Sequence, residues 1–206
     1  MNSVAKPQIK VLFLDLGGVI FELDWRAALS KFDITNSDAQ VRWMQAFATA
    51  SVQHRFECGK SSREEFLHDL KKFFKHSGSI ETAEQAWIAL VKGVLPGAEE
   101  IFARFSAKLP IIALSNTDTI HYENLLKNSP IMKNFTEVYT SFNLGFRKPN
   151  KEIYLQAARQ AGVQPENCLF IDDTLDNVLS AAECGFTAHQ SVNSPALTLE
   201  ILHRYL

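Results

Sequence analysis

The strongest constraint on this chain is a set of short runs that are apolar at every position and end on oxygen-bearing side chains. VLFL (11–14) runs into Asp15, IIALS (111–115) into Asn116 and Thr117, and CLFI (168–171) into Asp172 and Asp173. EVYTS (137–141) and, more weakly, FTAHQ (186–190) read as two more strands. A strand with one wet face alternates apolar and polar residues. A run with no alternation belongs in a parallel sheet covered by helices on both sides. Helical segments lie between these runs. PNKEIYLQAARQAG (149–162) sets Ile153, Ala157, Ala158 and Ala161 at helical spacing, opens on Pro149 in its first turn and stops at Gly162. TLDNVLSAAECG (174–185) also stops at a glycine. Strand and helix in alternation predict a doubly wound α/β fold around a parallel sheet.

Residues 25 to about 92 break the alternation. WRAALSKF, DAQVRWMQAFATASVQHRF, a segment from Arg63, and ETAEQAWIALVKG all read as helix, four in number. Ser62 followed by Glu65 forms a capping box at the third. Four helices exceed one crossover, so they are expected to form a small all-helical cap inserted after the first strand. The expected division is 1–22 with 93–206 as the α/β core, and 23–92 as the cap. There is no internal repeat.

Composition narrows the function. Apolar residues make up 46% of the 206, including fifteen Phe, which is enough for a large aromatic-rich core. The formal charge of −2 and the scattered basic residues give no reason to expect nucleic acid or an acidic membrane as partner. Cys58, Cys168 and Cys184 are far apart and outside any metal-ligand spacing; they read as small buried apolar residues in a reducing compartment. The stretch MNSVAKPQIK lacks the apolar centre of a signal peptide, and no apolar run approaches the ~20 residues of a membrane helix. A soluble, cytoplasmic protein is expected. The sequence carries no signal for an oligomeric state.

Ligands of open parallel sheets bind at the carboxyl ends of the strands, where the strand order reverses. Asp15, Ser115-Asn116-Thr117 and Asp172-Asp173 all sit at such ends, and Lys148 stands at the mouth of the helix leading to the CLFI strand. Taken singly, each has an ordinary explanation: Asp favours turns and caps, Ser-Asn-Thr favours turns, and Arg147-Lys148 suits a solvated helix entry. Taken together and in order, they describe chemistry. Carboxylates brought into one place repel unless a divalent cation sits among them, and an all-oxygen set suits Mg²⁺. Lys148, the Ser115 hydroxyl and nearby backbone N–H groups suit a phosphate. A carboxylate facing that phosphate can attack it and form an aspartyl phosphate.

DLGGV, LSNT, RKP and FIDD, in that order, resemble the four motifs of the haloacid dehalogenase (HAD) superfamily, which consists mostly of Mg²⁺-dependent phosphatases. The resemblance covers essentially the whole chain. It includes the helical insertion and FECGKSSREEF (56–66), which is similar to the lid segment of the bacterial sugar-phosphate branch; the overall look is that of the glucose-1-phosphate phosphatase type. The resemblance implies a Rossmann-like core and a small phosphate ester, such as a sugar phosphate, as substrate. It implies Asp15 as nucleophile, and Ser115, Lys148 and the Asn116 backbone N–H on the phosphate. It implies Asp173 as a direct Mg²⁺ ligand, Asp172 direct or through water, and the Gly17 carbonyl on the metal.

One position departs from the pattern. Most phosphatases of that superfamily carry a second aspartate two residues after the nucleophile, as acid and base for the leaving oxygen. Here the residue is Gly17. Positioned acid–base catalysis is worth roughly 10²–10⁴-fold, so its loss matters. Three outcomes follow: Glu22, Asp24 or a lid residue stands in; the leaving group is an anomeric oxygen that needs little help; or the protein binds phosphate without turnover. A 2-haloacid dehalogenase, which needs no metal, is a rival enzyme that lacks the paired acids Asp172-Asp173. Asp176 and Asn177 are candidates to brace the site from outside, or else a first-turn acid and a surface amide. Lid candidates for substrate choice are Trp25, Trp43, Met44, Phe47, His54, Arg55 and Lys60, with Arg42 or Arg55 for a second anion; the other reading is that the aromatics at helical spacing fill the insertion's own core and the arginines lie on its surface.

Overall fold

A computed structural model of the chain describes residues 8–206; Met1 to Pro7, with most of the stretch read for a signal peptide, lie outside the described residues. The order of elements is β1 (Val11–Leu14), β2 (Phe21–Leu23), α1 (Trp25–Lys31), α2 (Ser37–Ala48), α3 (Ser51–Glu57), α4 (Arg63–Phe74) and α5 (Ile80–Ile88). Then come β3 (Val91–Val94), α6 (Ala98–Phe105), β4 (Ile111–Ser115), α7 (Thr119–Asn128), β5 (Glu137–Thr140), α8 (Ser141–Leu144), α9 (Lys151–Gln160), β6 (Cys168–Asp172), α10 (Leu175–Glu183), β7 (Thr187–Gln190) and α11 (Pro195–Tyr205).

Five strands form one parallel sheet in the order β5-β4-β1-β6-β7. The expected α/β fold class holds, and the apolar runs are apolar throughout for the expected reason. Leu12, Leu14, Ile111, Ala113, Leu169 and Ile171 pack on one face with Ile101, Phe102 and Phe105 of α6 and Ile201 and Leu202 of α11. Val11, Phe13, Ile112, Leu114, Cys168 and Phe170 pack on the other with Ile153, Tyr154, Ala157 and Ala158 of α9. The central strand β1 is flanked by β4 and β6, and the strand order reverses beside it. The Asp15 N–H donates to the Ile171 carbonyl at 2.9 Å, so the ends of β1 and β6 are stitched together at the reversal.

The helical cap is present, with five helices instead of four. The long segment read as one helix is broken at Thr49-Ala50 into α2 and α3. ETAEQAWIALVKG is helical only to Ile88; its last residues form β3, which pairs antiparallel with β2. That pairing joins the chain leaving the core to the chain returning to it, a contact invisible to a local reading. The capping box is as expected, with the Ser62 N–H donating to Glu65 Oε2 at 2.7 Å and the Glu65 N–H to Ser62 Oγ at 3.2 Å. Pro149 lies before α9, after a cis Lys148-Pro149 bond, and Asn150 caps the helix. Cys168 is buried as expected, whereas Cys58 and Cys184 are half-buried.

The cap has its own aromatic core, including Phe32, Phe47, Phe56, Phe66, Phe74 and Trp87. Ile120 of α7 belongs to the same cluster, so cap and core share buried apolar surface. FECGK is where the cap descends onto the core. Gly59 has φ +67°, and a Cβ there would lie 2.8 Å from the Phe142 carbonyl oxygen, which excludes a side chain on both counts. Among the described residues, no helix is long and apolar enough to cross a membrane.

Candidate active site

The polar ends of β1, β4 and β6 meet as the sequence reading expects. Asp15, Asp172 and Asp173 each present a carboxylate oxygen, all within 4.8 Å of one another. Lys148 lies between them and is 1% exposed, far from the solvated helix entry its sequence context allowed. Its Nζ sits 2.9 Å from Asp15 Oδ1, 2.5 Å from Asp172 Oδ2 and 2.8 Å from the Leu114 carbonyl. Three ammonium hydrogens therefore meet three acceptors. Burial works against the Lys148 charge, but Asp15 and Asp172 outweigh it and hold the ammonium above its ordinary range. Burial pushes the Asp15 carboxyl up to about 7; Lys148 pulls it down, while Asp172 and Asp173 push it further up. Burial and Asp172 also raise Asp173. One lysine is too little charge for three carboxylates in this space.

The two acids of the pair differ. Both oxygens of Asp172 are engaged: Oδ2 by Lys148, Oδ1 by the Thr174 N–H at 2.8 Å and Asn177 Nδ2 at 2.9 Å. Asp173 is half-buried, and its Oδ1 accepts from the Thr174 hydroxyl at 3.1 Å. Asn177 is buried and braces Asp172, whereas Asp176 is an exposed first-turn acid. Gly18 explains the second glycine of DLGGV. Its φ is +70°, and a Cβ would lie 2.4 Å from Asp173 Oδ2. Gly17 is under no such constraint: a Cβ there meets only Leu23, at 3.0 Å from its Cδ1, and Leu23 is 39% exposed.

Ser115, 3% exposed, ends β4 beside this cluster. The Asn116 side chain holds the loop of Lys148: Nδ2 donates to the Lys148 carbonyl at 2.9 Å, and Oδ1 accepts the Lys148 N–H at 2.8 Å. Sequence reasoning assigned Asn116 only a backbone role and missed this clamp. Neither proposed stand-in for the acid is free. Asp24 caps α1 through the Ala27 N–H, and Glu22 pairs with Lys92 at 2.8 Å on the surface.

A cavity of about 600 Å³, counted to its open mouth, runs from Gly17, Ser115 and Asn116 up into the cap. Of the lid candidates, only Trp25 lines it. Phe47 is in the cap core, with Trp43 and Met44 packed against it; His54, Arg55 and Lys60 line a separate surface groove, and Arg42 is exposed. The cap residues that do reach the cavity include Gln53, Glu57 and Trp87, none of which the sequence reading singled out. Gln53 and Glu57 are one helical turn apart, which is the only sequence signal that pairs them.

The family model of haloacid dehalogenase-like hydrolases matches residues 9–185, which takes in all four strand-end motifs. The chain belongs to that family. It is 27% identical over 192 residues to a D-ribitol-5-phosphate phosphatase of Bacteroides thetaiotaomicron, covering 90% of this chain and 93% of the relative. A sesquiterpene phosphatase of Aspergillus oryzae is 22% identical over 202 residues, covering 93% and 94%. In fold, the chain is similar to a HAD family enzyme from Bacteroides thetaiotaomicron solved with magnesium and inorganic phosphate, at a TM-score of 0.77 and 24% identity over 88% of this chain and 93% of that one. With such relatives, the enzyme is a phosphatase of its family.

Proposed function

We propose that this phosphatase hydrolyses a small sugar or polyol phosphate in a Mg²⁺-dependent reaction with an aspartyl-phosphate intermediate. The observation that carries the proposal is the cluster of Asp15, Asp172 and Asp173 within 4.8 Å, sharing one buried lysine. An all-oxygen, overcharged donor set fits Mg²⁺. Asp15, Asp173 and the Gly17 carbonyl would hold it, with Asp172 behind them because its oxygens are taken. When bound, the ion neutralises the carboxylates and the charge on the transferring group.

Asp15 does the covalent work. One of its carboxylate oxygens attacks phosphorus, and the bond from phosphorus to the ester oxygen breaks. Water then attacks the aspartyl phosphate at phosphorus, releasing inorganic phosphate and regenerating Asp15. The Leu16 N–H, 2.8 Å from Asp15 Oδ1, helps fix the carboxylate in its attacking orientation. Ser115, the Asn116 backbone N–H and Lys148 hold the phosphate oxygens; Lys148 turns one of its three hydrogens from Asp15 to the substrate. With Gly17 in place of an acid, the anomeric oxygen of a sugar 1-phosphate would leave more readily here than the ordinary alcohol oxygen of a polyol phosphate.

Phosphate release from p-nitrophenyl phosphate, glucose 1-phosphate, ribitol 5-phosphate and nucleotides, with and without Mg²⁺, tests the reading. The expected outcome is Mg²⁺-dependent turnover that Asp15→Asn abolishes. No turnover across the panel, with phosphate or beryllofluoride still bound, replaces the enzyme by a phosphate-binding module. Metal-independent chloride release from 2-chloropropionate replaces it by a dehalogenase.

A further inference from the structure

Two buried acceptors on the cap side of the cavity, Gln53 Oε1 and Glu57 Oε2, lack hydrogen bonds among the described residues, as does Nε of Arg147, whose side chain lines the separate surface groove. Glu57 is 5% exposed and comes from α3 of the cap; Arg147 comes from the core, next to Lys148. Glu57 Oε2 and Arg147 Nε lie 2.9 Å apart as an ion pair, but off the direction a hydrogen bond requires. Glu57 Oε1 accepts from Gln53 Nε2 at 2.8 Å. That bond fixes the Gln53 amide, because a carboxylate needs the NH₂ side, and so its carbonyl oxygen is turned away with no donor.

A buried acceptor left unmet is destabilising, and native proteins keep few such groups without a use. Gln53 and Glu57 line the same cavity as Gly17, Ser115 and Asn116. Both unmet groups on the cavity wall are acceptors, so what they lack is a donor. A phosphate seated on Ser115 and Asn116 leaves the rest of its ester pointing up this cavity. We infer that Gln53 and Glu57 bind hydroxyl groups of the substrate, and that the substrate is a polyhydroxylated phosphate, a sugar or alditol, as opposed to an apolar alkyl or prenyl one. A prenyl chain has no donor to offer either acceptor, a lack that hydroxyl-reading sites turn into large discrimination. The inference rests on the phosphatase reading above and deepens it.

Gln53→Leu removes the free acceptor together with the bond to Glu57 Oε1, and leaves the Glu57–Arg147 pair in place. Rates are compared on an alditol phosphate, on geranyl phosphate and on p-nitrophenyl phosphate, which has no hydroxyls to read. The expected result is that wild type prefers the alditol phosphate to geranyl phosphate. Gln53→Leu is expected to lower kcat/KM on the alditol phosphate about 10- to 100-fold more than on p-nitrophenyl phosphate. Equal losses on both, or a wild-type preference for geranyl phosphate, overturn the inference while the phosphatase reading stands. A second measurement needs no turnover. By calorimetry on Asp15→Asn protein, the alditol phosphate is expected to bind more tightly than inorganic phosphate, and adding Gln53→Leu should erase the difference. Equal binding of the two before that change overturns the inference even if hydrolysis is observed. A wild type that turns over nothing but shows the Gln53-dependent binding sinks the phosphatase reading and upholds this one.

Discussion

Two buried charge clusters flank the loop that follows β4, and they are built on opposite plans. At its start, Asp15, Asp172 and Asp173 share the single ammonium of Lys148, and burial and mutual repulsion raise the pKa of Asp15 and Asp173. At its end, Asp118 and His121 form a closed pair. Asp118 Oδ2 accepts from Trp87 Nε1 at 3.0 Å and lies 2.8 Å from His121 Nδ1; its Oδ1 accepts the His121 N–H at 2.9 Å. His121 Nε2 faces the Trp87 carbonyl at 2.9 Å. Both ring nitrogens face acceptors, so the ring is an imidazolium. Burial opposes both charges, yet each partner outweighs it: Asp118 is held below its ordinary range and His121 above. The balanced pair ties Trp87 of the cap to α7 of the core. The unbalanced cluster is the arrangement that the proposed Mg²⁺ would neutralise. Both clusters hold buried carboxylates; the sign of the shifts separates structure from chemistry.

The sharpest break of this comparison is to neutralise one acid on each side. Asp15→Asn is expected to take phosphatase activity below detection, a loss beyond the roughly 10²–10⁴-fold of acid–base effects. The same change relieves repulsion, so the metal-free variant should melt no lower than wild type by calorimetry. Asp118→Asn should do the reverse to stability. It leaves a buried imidazolium uncompensated, at a cost of about 3–5 kcal/mol in denaturant unfolding. An Asp15→Asn protein that unfolds as readily as Asp118→Asn would erase the distinction.

The pH dependence of stability sharpens it. A histidine whose pKa rises on folding contributes fully below its unfolded value, about 6.5, and loses that contribution as pH rises through the folded one. An aspartate whose pKa falls contributes above its unfolded value, about 3.9, and loses it as pH falls through the folded one. The Asp118–His121 pair thus stabilises most between about pH 4 and 6.5. His121→Leu is expected to flatten the loss of stability above that window. An unchanged pH profile of the unfolding midpoint would show that the ring is not charged.

Smaller effects are expected beside the site. Gly17→Asp meets only an exposed leucine, so it should fold normally. It should raise kcat on simple alkyl phosphates more than on anomeric ones, toward the 10²–10⁴-fold of a positioned acid. Equal kcat values for wild type and variant on both would mean that another group already supplies the proton. The smallest expected effect is that of Glu22→Gln. Its partner Lys92 lies on the surface, so activity and melting temperature should hardly move. A tenfold loss of kcat would make Glu22 the missing acid.

Most of the phosphoryl end was legible because its parts lie at strand ends. The strands are apolar throughout, and Asp15, Ser115 and Asp172 end them. The cap was legible as helix but not as a binding wall. Trp43, Phe47 and Met44 look like ligand contacts by type, yet they fill the cap's own core. Gln53 and Glu57 look like surface residues, yet they face the cavity. In a helix, the face that meets a neighbour depends on how the helix is docked, and no local pattern encodes that. The pairing of β2 with β3 was missed for the same reason: its partners are some seventy residues apart.

The sequence by itself determined a parallel α/β sheet with an inserted helical cap and three carboxylates and a lysine bound for one spot, because apolar periodicity and strand-end chemistry are local and ordered along the chain. Only the tertiary structure decided that Lys148 is wholly buried between Asp15 and Asp172, that Asn116 clamps its loop, and that Gln53 and Glu57 crown the cavity. Those facts depend on distances between elements, which packing sets. The two glycines of DLGGV divide along the same line. Gly18 is required by its left-handed backbone and by Asp173 beside it, whereas at Gly17 the acid that this chain does not carry asks only that the Leu23 side chain shift.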